Sequence, residues 1–128
     1  MNTINEYSGI GKKIKITDIK AMQIKGSAGQ SLVKVETDAG VYGIGEAGAS
    51  GPTIRAQIQQ MKWLWHGEDP LNIEKLYYRM ISIANRVSPY RAHIPTISGI
   101  DIALWDIAGK VLNRPICDLL TGRVRDGS

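Results

Sequence analysis

Leu32-Val33-Lys34-Val35-Glu36-Thr37-Asp38-Ala39-Gly40-Val41-Tyr42-Gly43-Ile44-Gly45-Glu46 is the stretch whose reading decides the fold. Val33, Val35 and Thr37 fall on one parity and Lys34 and Glu36 on the other, the alternation of a half-buried strand. Asp38-Ala39-Gly40 supplies hairpin chemistry, because glycine reaches the left-handed backbone that a tight turn demands. Residues 41–46 then read as the return strand, and Gly43 and Gly45 predict that another backbone comes close. Upstream, Ile14, Ile16, Met22 and Ile24 share a parity while Ile19 and Ala21 take the other. A strand with both faces partly apolar is expected to change face or bulge, here near Asp18. Gly26-Ser27-Ala28-Gly29-Gln30 joins it to the hairpin as a loop. Three strands with short connections make an antiparallel meander.

Downstream the period changes from two to 3.6. Residues 48–52 form a loop ending in Pro52 at a first helical position, and Ile54, Ile58, Met61 and Trp65 follow at helical spacing up to Gly67. Asp69-Pro70 reads as a cap and first turn for a second helix with Ile73, Leu76, Tyr77, Met80 and Ala84 on its apolar stripe. Residues 85–95 read as irregular. Thr96 is expected to cap a third helix carrying Ile97, Ile100, Leu104, Ile107, Ala108 and Val111, with Asp106 and Lys110 as an i,i+4 pair. Strands first and helices after is an α+β arrangement.

The chain has 128 residues, one domain's worth, and is too short for a (β/α)₈ barrel, which needs about 200. With 43% hydrophobic and 22% charged residues it is globular rather than disordered. No apolar run approaches the ~18 residues of a membrane span. Met1 to Glu6 lacks the basic-then-apolar pattern of a signal peptide, so a cytoplasmic location is expected, with no membrane partner. The single Cys117 excludes an intrachain disulfide and any multi-cysteine metal site, and it reads as a small apolar side chain. The net charge of +4 comes mostly from five lysines among residues 1–25. That excess is not a basic stripe interleaved with aromatics, so no nucleic-acid partner is expected.

No complete active site is legible. Asp101 and Asp106 are five apart on a helix, pointing about 140° from each other, and cannot share a metal. Asp106 reads as a salt-bridge partner; Asp101, beside the apolar stripe, should find a hydrogen-bond partner, either within this domain or in another one. His66 reads as a helix C-terminal cation, whereas His93 lies in the irregular stretch where it is either exposed and inert or a contact for an anionic substrate. Gly43, Gly45 and Gly48 spell Gly-x-Gly-x-x-Gly, but no parallel βαβ unit surrounds them, so this is no dinucleotide fingerprint.

Ser98-Gly99-Ile100-Asp101-Ile102-Ala103-Leu104-Trp105-Asp106-Ile107-Ala108-Gly109-Lys110, followed by Pro115-Ile116 and Leu119-Leu120, resembles a signature of the mandelate racemase and muconate lactonizing group of the enolase superfamily. Residues 32–46 look like that family's second and third strands, and the resemblance spans residues 14–126. Thr96 departs from the usual Ala, and Thr121 from the first Gly of a Leu-Leu-Gly-Gly. The resemblance implies an N-terminal capping domain that closes over a barrel. The barrel holds Mg2+ on three acidic ligands and carries the Lys or His acid/base groups, and the metal stabilises an enolate formed by removing the proton beside a carboxylate. It implies a tail at residues 1–13, a capping domain at 14–120, and at 121–128 the start of a linker into a barrel absent from this chain.

On this resemblance the chain holds no catalytic or metal residue of its own. Its specificity loops match residues 26–30 and 47–52, so Ser27, Ala28, Ala49 and Ser50, with His93, are the expected substrate contacts. The style of residues 38–43 and 98–101 is most similar to acid-sugar dehydratases of the galactonate and mannonate type, with racemases, epimerases and cycloisomerases as alternatives. Ser50 stands where mannonate-type relatives offer an amide. The expected partners are an acid-sugar carboxylate, the C-terminal barrel, whose contact is expected along the helix of residues 97–111, and further copies in a homo-oligomer. A reading from another class is a stand-alone, non-catalytic partner-binding module or a truncated fragment.

Overall fold

The computed structural model describes residues 14–27, 29–87 and 92–112. Strands β1 (Ile16–Gln23), β2 (Ser31–Thr37) and β3 (Tyr42–Ala47) form one antiparallel sheet in the order β1-β2-β3. Its register lines up Ala21, Val33 and Gly45 across the sheet, and Ile19, Val35 and Gly43 beside them. These are the inward positions, as the alternation predicts. The expected irregularity near Asp18 is a register shift between Ile16 and Asp18. One extra residue there lets Ile16 and Ile19, three apart, both face the core. Gly40, at φ +80°, makes the turn of the hairpin, and the Thr37 hydroxyl ties its base by donating to the Val41 carbonyl.

Helices α1 (Gly51–Gln60), α2 (Lys62–Trp65), α3 (Ile73–Val87) and α4 (Ile94–Val111) follow. The first helix expected from the sequence is therefore two. The backbone breaks at Met61, and the break brings Trp65 fully inside, where its indole N–H donates to the Ile58 carbonyl at 3.1 Å. Asp69-Pro70 does not begin α3. The Asp69 carboxylate accepts from the Leu71 N–H at 2.8 Å and its carbonyl from the Asn72 N–H at 3.1 Å, making a turn three residues ahead of the helix. Of the stretch expected to be irregular, residues 85–87 belong to α3 and residues 94–95 to α4. Thr96 is no cap. It is buried inside α4, and its hydroxyl donates to Oε1 of Gln57.

The core forms where α4 lies across the sheet. Ile97, Ile100, Leu104 and Ile107 are buried in one cluster with Val33, Val35 and Ile19. On the helix expected to meet a barrel, Ile97, Ile100, Leu104 and Ile107 are thus covered by the domain's own sheet, while Ile102 on its other face is exposed. This close packing requires Gly43 and Gly45: a Cβ at either would run into the carbonyl oxygen of Ala103 or Gly99 respectively. The anticipated backbone approach is helix against strand. No helix among the described residues is long and apolar enough to cross a membrane.

Candidate functional site

The β1–β2 connection and the β3–α1 connection emerge from the same end of the sheet, because β1 ends where β2 begins and β3 ends opposite Ser31. Two side chains at the strand ends tie them. The Ser31 hydroxyl donates to the Ala49 carbonyl at 2.7 Å. The Gln23 amide reaches both connections: its Nε2 donates to the Ser27 carbonyl at 3.2 Å, and its Oε1 accepts from the Gly51 N–H at 3.2 Å. Gly51 sits so close that a Cβ there would lie 3.2 Å from Gln23 Cβ and 3.1 Å from the Arg55 guanidinium. Arg55 in turn donates to the Ala21 carbonyl at 3.2 Å, holding α1 on the end of β1.

Ser27, Ala49 and Ser50 are all partly exposed at this end. Ser50 precedes α1 in extended backbone, and its hydroxyl donates to the Thr53 hydroxyl at 3.0 Å rather than to a backbone N–H. Ala28 lies outside the described residues. His93 is elsewhere. It directly precedes α4 without a side-chain capping bond and is 7% exposed, so it is not an exposed loop residue. Its Nε2 pairs with Gln60 Oε1 at 2.8 Å. Gln60 ends α1, about 14 Å along the axis from Gly51 at 1.5 Å per residue. Gln57 donates to the Ala92 carbonyl at 3.1 Å in the same cluster. The structure therefore brings Ser27, Ala49 and Ser50 together and sets His93 at the opposite end of α1. Gln23 and Ser31, which organise the pair, escaped the sequence reading. Their signal was a polar residue at each strand end flanking a glycine-bearing turn.

Asp106 and Lys110 form the expected pair at 3.2 Å and do more. Asp106 Oδ2 also accepts from the Ile44 N–H at 2.9 Å, and Lys110 donates to the Tyr42 carbonyl at 2.7 Å. Those groups point away from β2, so the helix closes the open edge of β3. Lys34 and Lys110 both stand over the Tyr42 ring, 4.5 and 4.4 Å from its centre. On the outer sheet face Glu36 pairs with Lys20 and Lys34, each at 3.3 Å. Desolvation pushes the Glu36 carboxyl up, but the two ammonium groups outweigh it and hold it below its ordinary value.

Asp101 lies in a groove of about 550 Å³ between α3 and α4, with Tyr77, Tyr78, Ile102 and Trp105. Tyr77, expected on the buried stripe of α3, is part of this exposed wall. Burial pushes the Asp101 carboxyl up. No hydrogen bond or ion pair of Asp101 is found among the described residues, which leaves its expected partner to another domain. Among the described residues no group of three or more His, Cys, Asp or Glu is placed to hold a metal ion. Cys117, the tail at 1–13 and the linker at 121–128 lie outside the described residues.

Residues 14–121 match the family of the mandelate racemase / muconate lactonizing enzyme, N-terminal domain. The chain is 42% identical to D-xylonate dehydratase of Haloferax volcanii over 123 residues, 95% of this chain and 29% of that enzyme. In structure it is similar to a mandelate racemase/muconate lactonizing enzyme-like protein from Rubrobacter xylanophilus, with a TM-score of 0.72 and 32% identity over 84% of this chain and 28% of the other. A mandelate racemase/muconate lactonizing protein from Paracoccus denitrificans, complexed with magnesium, gives a TM-score of 0.70 and 26% identity over 84% and 30%. The chain spans less than a third of the length of each of these relatives.

Proposed function

The chain belongs to the mandelate racemase / muconate lactonizing enzyme N-terminal domain family, and from that premise we propose that residues 14–120 are the capping domain of an acid-sugar dehydratase. The observation that carries this reading is the loop pair. The connections ending at Ser31 and Gly51 are gathered at one end of a rigid sheet-and-helix scaffold, in a chain 42% identical to a D-xylonate dehydratase. Small side chains on loops held by rigid elements are where a substrate is contacted without the loops carrying chemistry of their own. Ser27, Ala28, Ala49 and Ser50 would approach the end of the substrate remote from the proton that is removed. His93, buried at the other end of α1, is read here as a structural residue that docks α4 on α1.

Magnesium enters through the magnesium-bound relative. The described residues do not fit that ion, because no three carboxylates converge. In this reading the metal and the acid/base groups belong to the barrel of the longer enzyme, and this chain supplies no step of proton transfer. What it supplies is orientation and exclusion of water at the barrel mouth, effects that act on kcat/KM through positioning of the reacting carbon. Homo-oligomeric assembly and a cytoplasmic location belong to the same reading.

The test is an assay of the polypeptide that carries this domain together with its barrel. It should lose water from acid sugars, D-xylonate among them, only with a divalent cation. Racemisation or cycloisomerisation without water loss would move the protein to a sister activity. A native polypeptide of 14.0 kDa without lyase activity would establish the stand-alone module instead.

A further inference from the structure

Resting on the loop reading above, we infer that Gln23 is the positioning residue that makes the two loops act as one substrate-reading unit. Its amide satisfies two partners of opposite kind. The Gly51 N–H can only donate and faces Oε1; the Ser27 carbonyl can only accept and faces Nε2. A carboxylate of the same length supplies the acceptor without the donor, and a lysine supplies the donor without the acceptor. Only a carboxamide on a two-carbon stem serves both from the last position of β1.

The surrounding geometry gives this bridge its leverage. The Gln23 backbone is fixed by pairing with Ser31, whose hydroxyl holds Ala49. Gly51 has no side chain to wedge between α1 and β1, so its N–H meets the amide directly. Arg55, in the second turn of α1, anchors the helix to the Ala21 carbonyl independently of Gln23. Removing the amide therefore frees Ser27 from Gly51, while Ser31 still holds Ala49 and Arg55 still holds the helix on the sheet. With Gln23 present, a displacement of Ser27 is passed to Gly51, the neighbour of Ser50, through one side chain: Ser27 carbonyl, Gln23 amide, Gly51 N–H.

The experiment has two arms. In the 128-residue chain, amide hydrogen exchange is followed for Gln23→Leu and Gln23→Glu. Gln23→Leu should speed exchange about tenfold at Gly51 and also within residues 26–30, while Val33 and Val35 in the sheet keep their protection. Gln23→Glu should restore Gly51 at neutral pH and leave the first loop fast. Faster exchange at Gly51 alone, or in neither loop, overturns the coupling. In the barrel-bearing enzyme, Ser27→Ala and Ser50→Ala are combined in a double-mutant cycle read as the ratio of kcat/KM between two acid sugars. The two substitutions should be non-additive with Gln23 present and additive in the Gln23→Leu background. Additivity in both backgrounds overturns the role of Gln23 and leaves the loop reading standing. A ratio that neither serine moves overturns the loop reading, and with it any role of Gln23 in specificity, whatever the exchange data show.

Discussion

A methyl group at Gly45 would meet the Gly99 carbonyl oxygen, whereas one at Gly48 would meet nothing within 4 Å. Gly45→Ala should therefore cost about 1–3 kcal/mol, as overpacking of a tight contact does. Gly48→Ala should stay within about 0.5 kcal/mol. Urea unfolding of both checks the contrast. Asp106 makes a similar case with polar groups. Asp106→Ala removes the acceptor of the Ile44 N–H as well as the ion-pair partner of Lys110, so about 1–3 kcal/mol should be lost. Lys110→Ala, which removes the more exposed partner, should cost under about 1 kcal/mol. Equal losses in the same unfolding measurement would mean that Asp106 acts only through the ion pair.

Among the elements, α3 and α4 enclose a carboxylate with a testable sign. Burial raises the Asp101 pKa in the folded chain. The folded state then holds its proton to higher pH than the unfolded state does, so the ionised group opposes folding near neutrality and ceases to below the ordinary Asp range near 3.9. Asp101→Asn should raise Tm at pH 7, and the gap should close as pH falls towards 3. A gap that is constant with pH would assign the effect to packing. The same elements separate what was legible in the chain from what was not. The alternation of residues 32–37, the face change near Asp18 and the glycine pair of β3 were readable because each depends on neighbours in sequence. The break at Met61 and the inward place of Thr96 were not, because Trp65 and Gln57 draw them into the core by tertiary hydrogen bonds. Asp69-Pro70 misled for a local reason: an Asp that accepts from the residue two ahead serves a turn as well as a helix start. At the candidate site the loops were legible from their small residues, but Gln23 was not, since nothing in its own sequence neighbourhood places Gly51 within its reach.

For the whole molecule, one sheet and the helix across it form a scaffold whose free end carries the two loops, and α4 closes the edge of β3 that would otherwise be open to pairing. The central claim is that this end reads the substrate of a larger enzyme. Ser50 is the most direct probe, because its hydroxyl makes no capping bond to α1 and, among the described residues, bonds Thr53 alone at a partly exposed position. In the barrel-bearing enzyme, kcat/KM of Ser50→Leu is measured over a panel of acid sugars beside its Tm. The account predicts unequal changes, tenfold or more for some substrates and little for others, with Tm nearly unmoved. Equal changes on every substrate, or loss of activity only in step with Tm, would contradict it.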